Sequence, residues 1–372
     1  MNLSYGLERL WLWLVGLLEK LISWLGLPYI FAYTLEKIIF AVALLVFISV
    51  SVLYLIWLER KVSAHMQSRL GPMHVGGWRG WAQTIADMVK LLFKEDIIPA
   101  KADKWVHRIA PLVVFIPSLM GFLVIPFEKN LIAQDLNAGI LLIFAFSSIA
   151  VLAIIMGGWA SNNKYTLLGG IRSAAQMISY EIPLVLSVVS VIMLVGSFKL
   201  NDMVAAQSGA GKVWFVFTQP LAFLLYLIAA TAEVNRTPFD IPEAESELVS
   251  GYNTEYSGLK YGFFMLSEFT NMLIVSLVAA TVFLGGWSAP SWLSRVPGIV
   301  ILLVKTYFIV FVLMWIRWTF PRLRVDRLMD FGWKILIPLA FINIFVTALV
   351  MAVWRKPTKI LRIIKERLLV IL

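Results

Sequence analysis

Apolar residues along this chain come in long unbroken runs rather than in short alternations. Residues 38–58, 109–127, 136–160, 213–232 and 335–354 carry no charge. Three further runs carry one each: Glu181 in 174–197, Glu268 in 261–287 and Lys305 in 297–316. At about 1.5 Å per residue, each run folded as a helix is long enough to cross ~30 Å of hydrocarbon. Backbone polar groups in lipid must be satisfied inside the segment, so such runs fold as helices. The pattern predicts an all-α polytopic membrane protein, a single membrane domain over 1–372 with about eight transmembrane helices.

Two other stretches have a mixed pattern. In 78–95, Trp78, Trp81, Ile85, Met88, Val89 and Leu92 recur at helical spacing, with Arg79, Gln83, Asp87, Lys90 and Lys94 opposite them. This predicts an amphipathic helix lying on the cytoplasmic membrane surface, either as a brace or as a wall beside a lateral opening or a docking surface. Residues 7–25 carry charges near their ends and three tryptophans within, which fits an interfacial helix or a ninth span. The tail, 355–372, is basic and amphipathic.

Composition agrees with the pattern. The 372 residues are 60% hydrophobic and 15% charged, against about half apolar and one quarter charged in soluble domains. Cysteine is absent, which excludes disulfides, iron–sulfur ligation and thiolate metal sites within the chain. His65, His74 and His107 are isolated, so no metal site is expected. The net charge of +10 resides in loops beside spans and not in a nucleic-acid-binding patch. Arg60, Lys61, Arg69, Arg79, Lys90, Lys94, Lys101, Lys104 and Arg108 follow the first span, and Arg317, Arg322, Arg324, Arg327 and Lys334 precede the last. The positive-inside rule then makes these loops cytoplasmic and the N-terminus external. Eight spans put the basic tail outside as well, against the same rule, so the tail lies on the membrane or the span count differs by one. The first residues lack a basic n-region and a cleavage site, so no cleaved signal peptide is expected.

Candidate chemistry lies in the charges that the pattern makes improbable. Residues 231–260 hold Glu233, Asp240, Glu243, Glu245, Glu247 and Glu255, six of the chain's 22 acidic residues, between two spans. With only Arg236 nearby to offset them, such a cluster titrates collectively; the plainer alternative is a solvated acidic loop. A charge at the bilayer centre costs roughly 3 kcal/mol or more unless paired or hydrated. Glu181, Glu268 and Lys305 should therefore face the bundle interior, as a Glu268–Lys305 ion pair or along a hydrated proton path. Glu181 has no basic neighbour in its own span, and Arg172 lies at the start of its helix.

Five stretches of this chain together resemble one family. AEVNRTPFDIPEAESELVSGYNTEY (232–256) is similar to the signature of the H-subunit family of proton-pumping NADH–quinone oxidoreductase, respiratory complex I. ERKVSAHMQSRLGP (59–72), Ala86–Asp87 with KLLFKED (90–96), NNKYTLLGGIRSAAQMISYEIP (162–183) and RWTFPRLRVDRLMDFGWK (317–334) resemble further motifs of the family, in the same order. Gly77 departs from the family's frequent proline, His65 from a small residue and Arg327 from a common glutamine.

The resemblance implies a non-redox membrane subunit that joins a peripheral redox arm to the membrane arm and forms the membrane side of a quinone-entry chamber. It implies that Glu59, Arg60 and Arg69 line that chamber, with Arg236, Asp240, Glu243, Glu245 and Glu247 as its acidic loop. Arg172, Glu181 and Glu233 would begin a polar path into the membrane arm, and Glu268 and Lys305 are further candidates for it. Quinone would be the substrate, while NADH, FMN and iron–sulfur clusters would belong to partner subunits. The implied partners are peripheral quinone-module subunits, small membrane subunits and lipid, in a bacterial plasma membrane. A homologous subunit of a membrane-bound hydrogenase or of an F420- or ferredoxin-linked dehydrogenase is the nearest alternative. A secondary ion transporter is an alternative of another class.

Overall fold

A computed structural model describes residues 11–17, 20, 28–77, 79–209, 213–241, 248–289 and 296–354, and among these no strand occurs. The main helices are α1 (Tyr29–Met66), α2 (Gln83–Phe93), α3 (Lys104–Met120), α4 (Gly139–Ala160), α5 (Lys164–Val195), α6 (Leu200–Gln207), α7 (Pro220–Glu233), α8 (Gly258–Phe283), α9 (Gly298–Thr319), α10 (Val325–Asp330) and α11 (Ile337–Trp354). A π-helical turn, Phe331–Leu336, joins α10 to α11. Seven of the resulting helical segments are long and apolar enough to cross a membrane.

The eighth expected span, 213–232, takes a different form. It is a single turn, Phe215–Thr218, followed by the 14-residue α7, about 21 Å long and short of a full crossing. Pro220 causes the break: it has no N–H to donate and disfavours helical backbone at Gln219. Two polar residues of α11 meet the break at Gln219, which is buried. Gln219 Nε2 donates to Thr347 Oγ1 at 3.0 Å, and Asn343 Nδ2 donates to Gln219 Oε1 at 3.3 Å.

Several helices outrun the apolar runs that predicted them. α1 has 38 residues, about 57 Å, so Glu59 and Arg60 lie on its final turns and not in a loop. Nothing in ERKVSAH opposes helix, and the breakers Gly71 and Pro72 come later. α5 begins at Lys164, where the Asn163 side chain accepts from the Tyr165 N–H at 3.0 Å as an N-cap. It continues through Pro183 to Gly196, whose φ of +77° closes it. Hydropathy marks the part of a helix that lipid requires to be apolar, not the whole helix.

The surface helix is shorter than 78–95 and starts at Gln83, because the preceding loop is tightly turned. A Cβ on Gly80 (φ +67°) would lie 2.6 Å from the Pro72 carbonyl oxygen. Lys61 Nζ ties this loop down by donating to Pro72 O at 2.6 Å. Gly77 has φ +77°, which proline cannot adopt.

The core lies on α8, which packs against α3, α9, α2, α1, α6 and α7. Phe264, Leu273, Leu277 and Phe283 of α8 are fully buried, as are Tyr180, Leu184, Leu225 and Tyr226 from α5 and α7. Residues 11–17 are helical, and Trp11 meets Phe40 of α1 edge-on at 5.5 Å. Apart from Lys20, the rest of 7–25 and the tail 355–372 lie outside the described residues.

Candidate functional site

A charged cluster forms where the last turns of α1 meet the first half of α8, the end of α9 and the turn after α7. The chain reverses at Asn235 (φ +52°). Gln176 of α5 holds that reversal: its Nε2 lies 2.8 Å from Ala232 O, 3.1 Å from Asn235 Oδ1 and 2.6 Å from Phe239 O. Arg236, 2% exposed, is thereby aimed into the protein. Its Nη1 donates to both oxygens of Glu59 at 2.7 Å, and its Nε lies 3.3 Å from Glu268 Oε1. Its guanidinium stacks over Phe269 at 4.6 Å. Arg317, from the end of α9, also donates to Glu59. Two carboxylates and two guanidiniums leave the cluster formally neutral, which is how a low-dielectric site keeps ionised groups.

Arg236, expected from sequence to offset part of the charge of its own segment, pairs with carboxylates from α1 and α8. The described acids of that segment disperse. Glu233 turns into the bundle, Asp240 pairs with Arg322 at 2.9 Å, and Glu255 accepts from Asn163 Nδ2 at 2.7 Å. Glu243, Glu245 and Glu247 lie outside the described residues.

Two adjoining cavities lead to the cluster. The larger, about 490 Å³, lies between α1, α2, α3 and α8 and is lined mainly by apolar side chains such as Val52, Leu91, Phe115 and Leu266. Leu45, Met88 and Leu259 of its lining are exposed, so it opens on the apolar flank of the bundle. The smaller, about 320 Å³, is lined by Glu59, Arg60, Ser63, Arg236, Glu268, Arg317 and Trp318. Ile56, Arg60, Tyr261 and Met265 line both, so an apolar compartment ends in a charged one. Arg60 stands at the junction and pairs with Asp87 of α2 at 2.5 Å.

α2 thus has two working faces. Thr84, Asp87, Met88 and Leu91 line the cavity, while Ile85, Val89 and Leu92 remain exposed. One face of α2 borders the cavity, and an adjacent apolar face is exposed. Asp87 and Lys90, expected on a solvated side, belong to the wall.

A second carboxylate site lies deeper in the bundle. Glu233, at the last position of α7, is buried and accepts from Ser147 Oγ at 2.6 Å. Glu181 of α5 is half-buried and accepts from Ser148 Oγ. No Lys or Arg pairs with either carboxylate among the described residues. Ser147 and Glu233 also line a small internal cavity of about 30 Å³ with Ser118, Tyr226 and Asn271.

Other expected site residues lie elsewhere. Arg69 is exposed in the turn after α1 and lines neither cavity. Arg172 is half-buried on α5, nine residues and about 13 Å along the axis from Glu181. The Glu268–Lys305 ion pair does not form. Lys305 Nζ instead donates to the carbonyls of Leu284, Gly286 and Ser288 at 2.7, 2.8 and 2.8 Å, under the Trp214 ring. Those carbonyls follow the C-terminus of α8, where partial negative charge accumulates. They use all three ammonium donors, about 24 Å along α8 from Glu268. Among the described residues no three His, Asp or Glu side chains are arranged to hold a metal ion.

The family model described as NADH dehydrogenase matches residues 39–348. The chain belongs to the NADH dehydrogenase family. It is 53% identical over 315 residues to the NADH-quinone oxidoreductase H subunit of Bacillus mycoides, a match covering 84% of this chain and 94% of that one. It is 50% identical over 334 residues to the H subunit of Bacillus cytotoxicus, covering 90% and 97%. All five stretches that carry the family resemblance fall inside the matched region, as does every site residue named above. Residues 11–17 and the tail fall outside it.

Ser147, Ser148 and Gln176 do not stand out in the sequence of this NADH dehydrogenase family member. The adjacent serines in the charge-free run 136–160 are the available signal. Arg317 and Arg322 are legible as loop charges within the stretch 317–334, without their partners.

Proposed function

We propose that the two joined cavities are the quinone-entry chamber of an NADH–quinone oxidoreductase, and that this chain couples quinone reduction there to proton translocation. As a member of the H-subunit family it is a multi-pass membrane component of that complex. The observation that carries the proposal is the continuity of the apolar compartment with the charged one. A quinone tail needs an apolar wall open to lipid, and a headgroup taking up two electrons and two protons needs polar contacts. Glu59, Arg60, Arg236 and Asp240 would surround the headgroup end, and Glu243, Glu245 and Glu247 would extend the acidic loop beside it. Arg172, Glu181 and Glu233 would begin the polar path, with Glu268 bordering it from the chamber.

The chain contains no cysteine, so electrons would come from partner subunits with FMN and iron–sulfur clusters. Those subunits would dock at the end that carries α2, which the basic loops assign to the cytoplasmic side of the bacterial plasma membrane, with the N-terminus outside. Ser49, exposed at the cavity wall, supplies the test. Ser49→Trp in the assembled complex should raise the KM for quinone about tenfold by obstructing a fitted space, with NADH oxidation by an artificial acceptor unchanged. An unchanged quinone KM in an assembled Ser49→Trp complex and in Leu266→Trp would overturn the chamber assignment.

A further inference from the structure

The two deep carboxylates are held by neighbouring residues of a single helix. Ser147 and Ser148 are consecutive on α4, so their side chains diverge by about 100° around the axis. One reaches Glu233 at the end of α7, and the other reaches Glu181 on α5. α4 packs directly on α5, and α5 packs on α7. A movement of α4 therefore alters both hydrogen bonds together.

A hydroxyl differs from a guanidinium in what it can hold. It carries one donor and two acceptor lone pairs. It donates to an ionised carboxylate, and after protonation it accepts from the carboxyl O–H. Ser148 has the second acceptor that this reversal requires, because Phe144 O lies 3.1 Å from its Oγ. With Glu181 ionised, the Ser148 proton points to Glu181. With Glu181 protonated, the Ser148 proton turns to Phe144 O and its lone pair receives the Glu181 proton. No bond to the protein is lost in either state. Glu233 keeps Oε1 on Ser147, while Oε2 is buried without a protein partner among the described residues.

We propose that Ser147 and Ser148 are positioning residues that hold Glu233 and Glu181 from one helix, with Ser148 able to hold Glu181 in both protonation states, so that α4 sets the placement of both carboxyls. This rests on the polar-path reading above and goes further, by naming what holds those carboxylates in place.

The test uses the whole complex in native membranes. Ser147→Ala and Ser148→Ala should each lower proton-coupled quinone reduction about tenfold, the loss of one charge-assisted hydrogen bond. NADH oxidation by an artificial acceptor should stay normal. Ser147→Thr and Ser148→Thr, which keep the hydroxyl, should recover most of the activity. The carboxyl band in redox-difference infrared spectra that disappears in Glu181→Gln should move in Ser148→Ala and return in Ser148→Thr. Full activity with an unmoved band in the alanine variants, while Glu181→Gln and Glu233→Gln are impaired, overturns the serine assignment and leaves the polar path standing. Full activity in all four variants overturns both. If an alanine variant fails to assemble, Ser148→Cys and Ser147→Cys keep the volume with a weaker donor, and full activity in those assembled variants overturns the proposal.

Discussion

Two buried acidic sites lie in this bundle, and they are built in opposite ways. Glu59 and Glu268 are matched by the guanidiniums of Arg236 and Arg317, whereas Glu181 and Glu233 are matched by hydroxyls. An arginine stays charged at any accessible pH, so it brings a compensating positive charge to the carboxylate it pairs with. A serine imposes no charge. Under the function proposed above, the first site would set the field around a headgroup, and the second would lie on the proton path. The number of acidic residues, the feature most visible in the sequence, does not separate them; the partners do.

The comparison can be broken most severely at Arg236. Arg236→Leu leaves Glu59 and Glu268 short of their compensating charge and should destabilise the protein by about 3–5 kcal/mol, seen as loss of assembled complex or a lower thermal midpoint. Wild-type assembly in this variant would mean that the cluster is hydrated rather than locked. Lys305 is the next largest case, a cation held by three carbonyls and the Trp214 ring. Lys305→Met should cost about 2–3 kcal/mol through three lost charge-assisted bonds, with the ratio of protons pumped to quinone reduced unchanged in the complex that assembles. A changed ratio would return Lys305 to the proton path.

At the hydroxyl-held site the expected effect is on function rather than stability. Glu181→Gln and Glu233→Gln retain an acceptor for Ser148 and Ser147, so the thermal midpoint should fall by no more than about 1 kcal/mol equivalent. Coupled quinone reduction should fall about tenfold, which corresponds to about 1.4 kcal/mol. Destabilisation as large as that of Arg236→Leu would show that the two sites do not differ in kind. The smallest effect is expected at Arg324, 82% exposed in its 3.0 Å pair with Asp326. Arg324→Ala should change stability by less than about 0.5 kcal/mol, and a larger loss would give this loop a role beyond an exposed ion pair.

Much of this was legible in the sequence, for identifiable reasons. Long apolar runs reveal spans because lipid enforces them residue by residue, and only Pro220 hid a break within one. The resemblance named Glu59, Arg60, Arg236, Glu181 and Glu233 as site residues. Their partners were not legible, because Arg236 and Glu59 are separated by 177 positions and only tertiary packing joins them. The Glu268–Lys305 pair was inferred from opposite charges on neighbouring spans, which takes no account of their height along the helices. The serines were overlooked because a hydroxyl in an apolar run changes hydropathy little, although it decides whether a nearby carboxylate can hold a proton.

The larger cavity opens past Leu45, Met88 and Leu259 on the bundle's apolar flank. A molecule entering there arrives from a two-dimensional solvent, so its effective concentration is its mole fraction in lipid and not its amount per volume of buffer. Diluting the membranes with quinone-free lipid at constant total quinone should lower the rate, whereas diluting the buffer should leave it unchanged. Saturation curves for this chain would then coincide between preparations only when plotted against membrane composition.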